Sequence, residues 1–262
     1  MKEVPVAVTK NDGDKAHSIA TYLTDVIANL EATAPKYASL MRSGVTTHPI
    51  PFFGNVEAAQ VITIGVNPSA GEFVGRSWPS HLAPLDLAER LTRYFASSPT
   101  APHPWFKTWS EALGVLGVGY QSGAAHVDLS PRATAAMGGV TNWKLFLDMI
   151  EADMRWFFQL LALCRSAKAL LAAGCVTKRW YINDFVRRVA PQHGFRLDGH
   201  ADRRGAGRVG IHRLVGVGVD LPMFFCSVSP SANNGRLLVQ RVREHQSTIR
   251  EWLDSSRVAT AT

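Results

Sequence analysis

Two apolar runs, Val61-Ile62-Thr63-Ile64 and Met223-Phe224-Phe225-Cys226, each lead into a polar loop that contains Pro-Ser. The first loop reads Gly65-Val66-Asn67-Pro68-Ser69 and the second Ser229-Pro230-Ser231-Ala232-Asn233-Asn234. A short apolar run bounded by turn residues reads as a strand buried on both faces, the pattern of parallel sheets. In an open parallel sheet the carboxyl ends of the strands share one edge, so loops far apart in the chain can meet at one ligand crevice. That crevice is the expected active site.

Strand-like and helix-like segments alternate along the rest of the chain, which implies α/β layering. Ile19, Leu23, Val26, Ile27 and Leu30 fall at helical spacing, with Pro35 as the limit of that helix. Further helices are expected over Leu82 to Phe95, Trp109 to Leu116, from a cap at Thr141 or Asn142 to about Cys164, after Gly174 through Trp180, Phe185 and Val189, and over Leu237 to Leu253. Strands are expected at Ala124 to Leu129, Ala169 to Ala173 and Pro222 to Val228, with Leu214 to Val219 as an edge strand. The expected fold is a three-layer α/β/α domain with a central, mainly parallel four-stranded sheet, spanning residues 47–254. Residues 1–46 read as a tail and a helix packed on the core, and residues 255–262 as a disordered tail.

A chain of 262 residues with 46% hydrophobic residues can bury one substantial core. Its formal charge of +7 favours a polyanionic partner such as nucleic acid. Cys164, Cys175 and Cys226 lie far apart in apolar surroundings, which indicates neither a disulfide framework nor a Cys-rich metal site and fits a reduced cytoplasm. No export signal and no apolar run of membrane-spanning length is seen, so a cytoplasmic protein without membrane contact is expected. His200, His212 and Asp202 lack the tight spacing of metal ligands. The expectation is a monomer with no metal or other cofactor. P-loop and G-x-S-x-G signatures are absent, which counts against a nucleotide or phosphate-ester enzyme.

Together with Asp128-Leu129-Ser130-Pro131 at a strand end between them, the two loop motifs resemble the uracil-DNA glycosylase superfamily, over roughly Pro49 to Leu253. Gly65 to Ser69 is similar to the Gly-Ile/Met/Leu/Val-Asn-Pro-Gly/Ser motif of the mismatch-specific and single-strand-selective branches. The main uracil-excising branch has Asp followed by Pro and Tyr there, so Asn67-Pro68-Ser69 points away from it. The resemblance implies that Asn67 holds the attacking water and that Ser69 belongs to the loop around the flipped base. Ser229 stands where the family's second motif has His or Asn, and would donate to the leaving base. Ser231 would cap the last helix near a phosphate. Asn233 takes the place of an inserted Leu, with Asn234 and Arg236 beside it.

Such an enzyme must expose C1′ of the sugar and clasp the extruded base. Breaking the glycosidic bond builds positive charge on the sugar and negative charge on the base, which calls for a positioned water and for donors to the departing base. Asp128 takes the place of the Asn that reads the uracil edge in uracil-directed members. A carboxylate accepts from the exocyclic amine of cytosine but opposes O4 of uracil unless protonated, which favours a cytosine-type base. This is similar to a family offshoot that removes hypermodified cytosines, such as glucosylated 5-hydroxymethylcytosine, from phage DNA as a defence. Phe73 and Trp78 are the candidates for stacking on the base. His126 is placed on the strand face opposite Asp128, on the ground that alternate strand residues face opposite ways, and is given no catalytic role.

Arg203, Arg204 and Arg208, with Arg236 and Lys178-Arg179, are candidates for phosphate contacts. The expected activity is excision of a modified or damaged pyrimidine to leave an abasic site. A uracil or mismatch repair glycosylase, and a non-catalytic DNA-binding module of the same fold, are the alternatives.

Overall fold

Four strands run parallel through the middle of the sheet: β3 (Ala124–Asp128), β2 (Val61–Gly65), β4 (Ala169–Ala173) and β9 (Val219–Cys226). All residues of β2, β3 and β4 are buried, as expected of parallel strands covered on both faces. The computed structural model describes residues 18–41, 47–73, 79, 81–97, 103–135, 140–201, 207–230 and 234–255.

The sheet has seven strands rather than the expected four. β1 (Phe52–Phe53) lies antiparallel on β3 at one edge, while β8 (Val209–Gly216) and β7 (Arg196–Ala201) continue antiparallel beyond β9. None of these is a continuous apolar run, and the expected edge strand over Leu214 to Val219 is not one strand: it holds the end of β8, the turn at Val217-Gly218 and the first residue of β9. β1 is a two-residue segment directly after Pro51, and β8 alternates buried residues with the exposed Ile211 and Arg213. β7 and β8 pair antiparallel from Arg196 with Val215 to Ala201 with Gly210, and residues 202–206 between them lie outside the described residues.

Helices cover both faces. Register places Thr63, His126, Leu171 and Phe224 on one face. That face meets α4 (Pro104–Leu116), through Trp105 and Phe106 against His126, and the α7 (Gly235–Glu244) and α8 (Gln246–Asp254) pair, through His245 against Phe224. On the opposite face α6 (Ile182–Val189) sends Asn183 to His212, and Tyr181 packs on Phe225. α1 (Ile19–Tyr37) buries Tyr22, Leu23 and Val26 and sets Tyr22 edge-on to Trp156 of α5 (Trp143–Leu163). Two short helices, α2 (Pro84–Thr92) and α3 (Tyr94–Ser97), replace the single one expected there.

Several boundaries differ from the sequence expectation for local reasons. α1 continues through Pro35 to Tyr37. α4 begins at Pro104 rather than Trp109, because the His103 side chain caps it and Pro104 fits its first turn. After Gly174 the chain forms a small hairpin, β5 (Cys175–Thr177) and β6 (Trp180–Tyr181), before α6 starts. The last helix breaks at His245 into α7 and α8.

Candidate active site

At the carboxyl ends of β2, β3 and β4 lies a cavity of about 380 Å³. Asn67, Pro68 and Ser69 of the first loop line it, as do Ser229 and Pro230 of the second and Asp128 at the end of β3. Two glycines make room for this convergence. A Cβ on Gly65 would sit 2.8 Å from His126 Nε2 and collide with the Asp128 carboxyl. Gly174 has φ +93°, and a Cβ there would lie 3.3 Å from Ser229 Cα.

Asn67 is held through its amide nitrogen. Nδ2 lies 3.0 Å from the Pro68 carbonyl, 3.1 Å from the Arg132 carbonyl and 2.8 Å from Thr134 Oγ1. Carbonyls only accept, so the amide orientation is set, and Oδ1 accepts no hydrogen bond among the described residues. The Arg132 carbonyl is steadied in turn by its own side chain. Arg132 Nε donates to Asp153 Oδ2 at 2.9 Å, and Ser130 Oγ donates to the same oxygen at 2.7 Å. Burial raises the Asp153 carboxyl above the usual carboxylate range, with Arg132 and Ser130 opposing the shift. Ser69 pairs with Thr134 as a β-bridge, and its hydroxyl accepts from the Gly71 amide as the cap of a 3₁₀ turn.

Asp128 and His126 sit at the cavity floor with side chains 4% and 3% exposed. His126 therefore lies on the same face as Asp128, not the opposite one. Residues two apart on a strand share a face, and only neighbours alternate. Asp128 Oδ1 is 3.3 Å from His126 Nε2, His126 Nδ1 is 2.9 Å from Thr63 Oγ1, and Thr63 Oγ1 is 2.8 Å from Tyr120 Oη. Asp128 Oδ2 is buried with no hydrogen-bond partner among the described residues. Burial raises the Asp128 carboxyl above its ordinary range, and His126 partly offsets this.

The cavity walls are aromatic. Phe53 stacks on the His126 ring with centroids 6.0 Å apart, while Trp105 and Phe106 meet it edge-on at 4.8 and 5.3 Å. Phe73 is not among the cavity residues; it is buried and tilts against His48. His103 lines the cavity, and its Nδ1 accepts from the Trp105 amide, which leaves Nε2 to carry the ring proton. Sequence reading missed His103, Trp105, Phe106, Phe53 and His126. His103-Pro104, a cap followed by a first-turn proline, was the available signal for the early start of α4.

Trp78, Ser231, Asn233, Arg203 and Arg204 lie outside the described residues. Asn234 precedes α7 and makes no side-chain cap bond, and Arg236 is exposed in the first turn of that helix. Arg208 stacks on the Tyr181 ring at 4.4 Å, and Lys178 and Arg179 stand exposed at the tip of the β5–β6 hairpin, whose first residue, Cys175, lines the cavity. Of the trio rejected as metal ligands, Asp202 lies outside the described residues and His212 is engaged by Asn183 and Arg187. Among the described residues no group of three or more His, Cys, Asp and Glu is arranged to hold a metal ion. No described helix is long and apolar enough to cross a membrane.

No protein-family model matches the chain, and no curated protein matches it.

Proposed function

We propose that this protein is a DNA glycosylase that flips a modified cytosine-type base out of the stack and hydrolyses its N-glycosidic bond. The observation that carries the reading is the convergence at one aromatic-walled cavity of Asn67, Ser229 and Asp128, whose Oδ2 is buried with no hydrogen-bond partner among the described residues. The four parallel strands at the sheet centre, which bring the two Pro-Ser loops to one edge, support it further.

In this mechanism Asn67 Oδ1 accepts a hydrogen bond from water and aims it at C1′, while the three contacts of Nδ2 keep the amide from rotating. An amide is a poor base, so its contribution is orientation. Water adds to C1′ as the C1′–N1 bond breaks and its electron pair moves onto the base, and the proton that the water gives up balances the one the base takes as it leaves neutral. Ser229 and His103 Nε2–H donate to that developing charge in this reading, which is supported by both residues lining the cavity. Phe53, Trp105 and Phe106 wall the base and exclude water. The Asp128 carboxyl accepts from an exocyclic amine and, when it holds a proton, donates to the ring nitrogen beside that amine, the two groups that the edge of a cytosine presents. Lys178, Arg179, Arg208 and Arg236 supply phosphate contacts around the substrate.

The test is excision from labelled DNAs carrying uracil, mismatched thymine, 5-hydroxymethylcytosine or its glucosylated form, scored as abasic-site cleavage. Cutting at a modified cytosine that is lost in Asn67→Ala, with DNA binding kept, is the expected result. DNA binding without cutting at any base would favour a non-catalytic module, and cutting at uracil alone would favour a repair enzyme.

A further inference from the structure

The hydrogen-bonded chain under the cavity has a direction. Burial holds the Tyr120 hydroxyl well above its usual range, so it stays protonated and donates to Thr63 Oγ1. Thr63 has one hydroxyl proton and two acceptors within reach, His126 Nδ1 at 2.9 Å and the Ala125 carbonyl at 3.3 Å. When it donates to Nδ1, the imidazole proton is on Nε2 and points at Asp128 Oδ1; a neutral Asp128, a residue that lines the cavity, then carries its own proton on Oδ2. When Thr63 donates to Ala125 instead, Nδ1–H donates to Thr63 and the second proton lies between Nε2 and Oδ1. Both arrangements leave the pair uncharged.

A pair stripped to carboxylate and neutral imidazole would place a net negative charge among Phe53, Trp105 and Phe106. No cation among the described residues forms an ion pair with Asp128 other than His126 itself. Among the described residues the titratable groups about the pair are Tyr120, before β3, and two that line the same cavity, His103 at the start of α4 and Cys175 at the start of β5; β1 contributes Phe53, and β2 contributes Thr63 and Gly65. A buried charge with one partner is costly, so the uncharged form is favoured in the closed site.

We infer that His126 and Asp128 hold one shared proton and deliver it from Asp128 to the base as it leaves, which makes amino-substituted pyrimidines, poor leaving groups as anions, the substrate class. The inference rests on the glycosylase reading. In the step, the C1′–N1 bond breaks with its electron pair going to the base, and the proton passes from Asp128 to a ring nitrogen or carbonyl oxygen of that base. Water bonds to C1′ and gives up one proton, which restores the pair. Asp128 is the catalytic acid, whereas Thr63 and Tyr120 are positioning residues that set where the proton rests.

Two measurements test it. In the free protein, NMR titration of the Asp128 carboxyl carbon and the His126 ring nitrogens should register one proton loss at both groups together, as coupled sites do. An Asp128 that ionises near about 3.9 without a response at His126 would overturn the inference. Single-turnover excision should then be compared on two DNAs of identical sequence, one with 5-hydroxymethylcytosine and one with uracil, across pH. The cytosine rate should fall about tenfold per pH unit above the midpoint of the pair, and Asp128→Asn should lower it at least about a hundredfold and remove that limb. Thr63→Val should move the midpoint. An Asp128→Asn rate within about threefold of the parent and with the same limb would sink the acid role. Excision of uracil alone would overturn this inference and leave the glycosylase reading standing, whereas excision of no base would overturn both.

Discussion

Asp128 and His126 are joined at one oxygen only: Oδ1 lies 3.3 Å from His126 Nε2, while Oδ2 is buried with no partner among the described residues. A buried polar oxygen left unmatched costs about 1–3 kcal/mol, which a hydrogen bond to the ligand can recover. That asymmetry makes base identity testable at one atom. In Asp128→Asn an amide NH₂ placed at the Oδ2 position suits a keto oxygen. The variant should shift relative kcat/KM from 5-hydroxymethylcytosine toward uracil, by about 1–3 kcal/mol of discrimination, read in competition between the two DNAs.

Gly65→Ala should abolish excision and lower the melting temperature. The added Cβ would meet His126 Nε2 at 2.8 Å inside a sheet register that cannot widen. Overpacking of this kind costs about 1–3 kcal/mol. Thermal unfolding checks the stability arm, and an unchanged melting temperature with full activity would contradict the geometry.

Arg132 links the buried Asp153 to the carbonyl that holds Asn67. Arg132→Met leaves Asp153 buried without its cation and should destabilise the protein by about 3–5 kcal/mol in urea unfolding. The double variant Arg132→Met with Asp153→Leu should recover much of that loss. Its excision rate should stay below that of the parent, because the Asn67 loop has lost its anchor.

Burial, and then the neighbouring Arg187, push the His212 pKa down from 6.5 to about 4. Between those values the unfolded chain binds the proton and the folded one does not, so this group costs stability as pH falls from about 6.5 toward 4. Asp128 and Asp153, raised by burial, act with the opposite sign, since the folded state retains their protons as pH rises past the ordinary carboxylate range. His212→Gln leaves both carboxyls in place. The difference in urea midpoint between parent and variant should therefore fall with acidification over that window, and a difference independent of pH would contradict the assignment.

Lys178→Ala, Arg179→Ala and Arg236→Ala should weaken DNA binding without changing base preference. Each lost phosphate contact should reduce the slope of log affinity against log salt by about one. Affinity measured at several salt concentrations distinguishes this from a loss of folding, which would remove binding at every salt concentration.

How far the sequence reached is plain at particular residues. Apolar runs at Val61 to Ile64 and Ala169 to Ala173, and the apolar stretch of α5, specify buried strands and a helix because their period and burial are local properties. The same runs, each ending in a loop of fixed chemistry, place Asn67, Ser69, Asp128 and Ser229 at one edge of a parallel sheet. The antiparallel strands β1, β7 and β8 were less legible, since an edge strand covered on fewer sides carries polar residues and loses its apolar signature.

Only the tertiary structure decided what surrounds those residues. His103, Trp105 and Phe106 come to the cavity because α4 packs over the face that holds His126, and Phe73 goes to the core instead of the cavity. Whether a carboxylate finds a partner likewise depends on every element around it: Asp153 meets Arg132 and Ser130, while Asp128 meets a single imidazole nitrogen. Sequence determines which groups a strand end carries. The packing of distant elements determines which atoms of those groups stay unsatisfied, because a hydrogen bond acts over about 3 Å and no pattern along the chain encodes that distance.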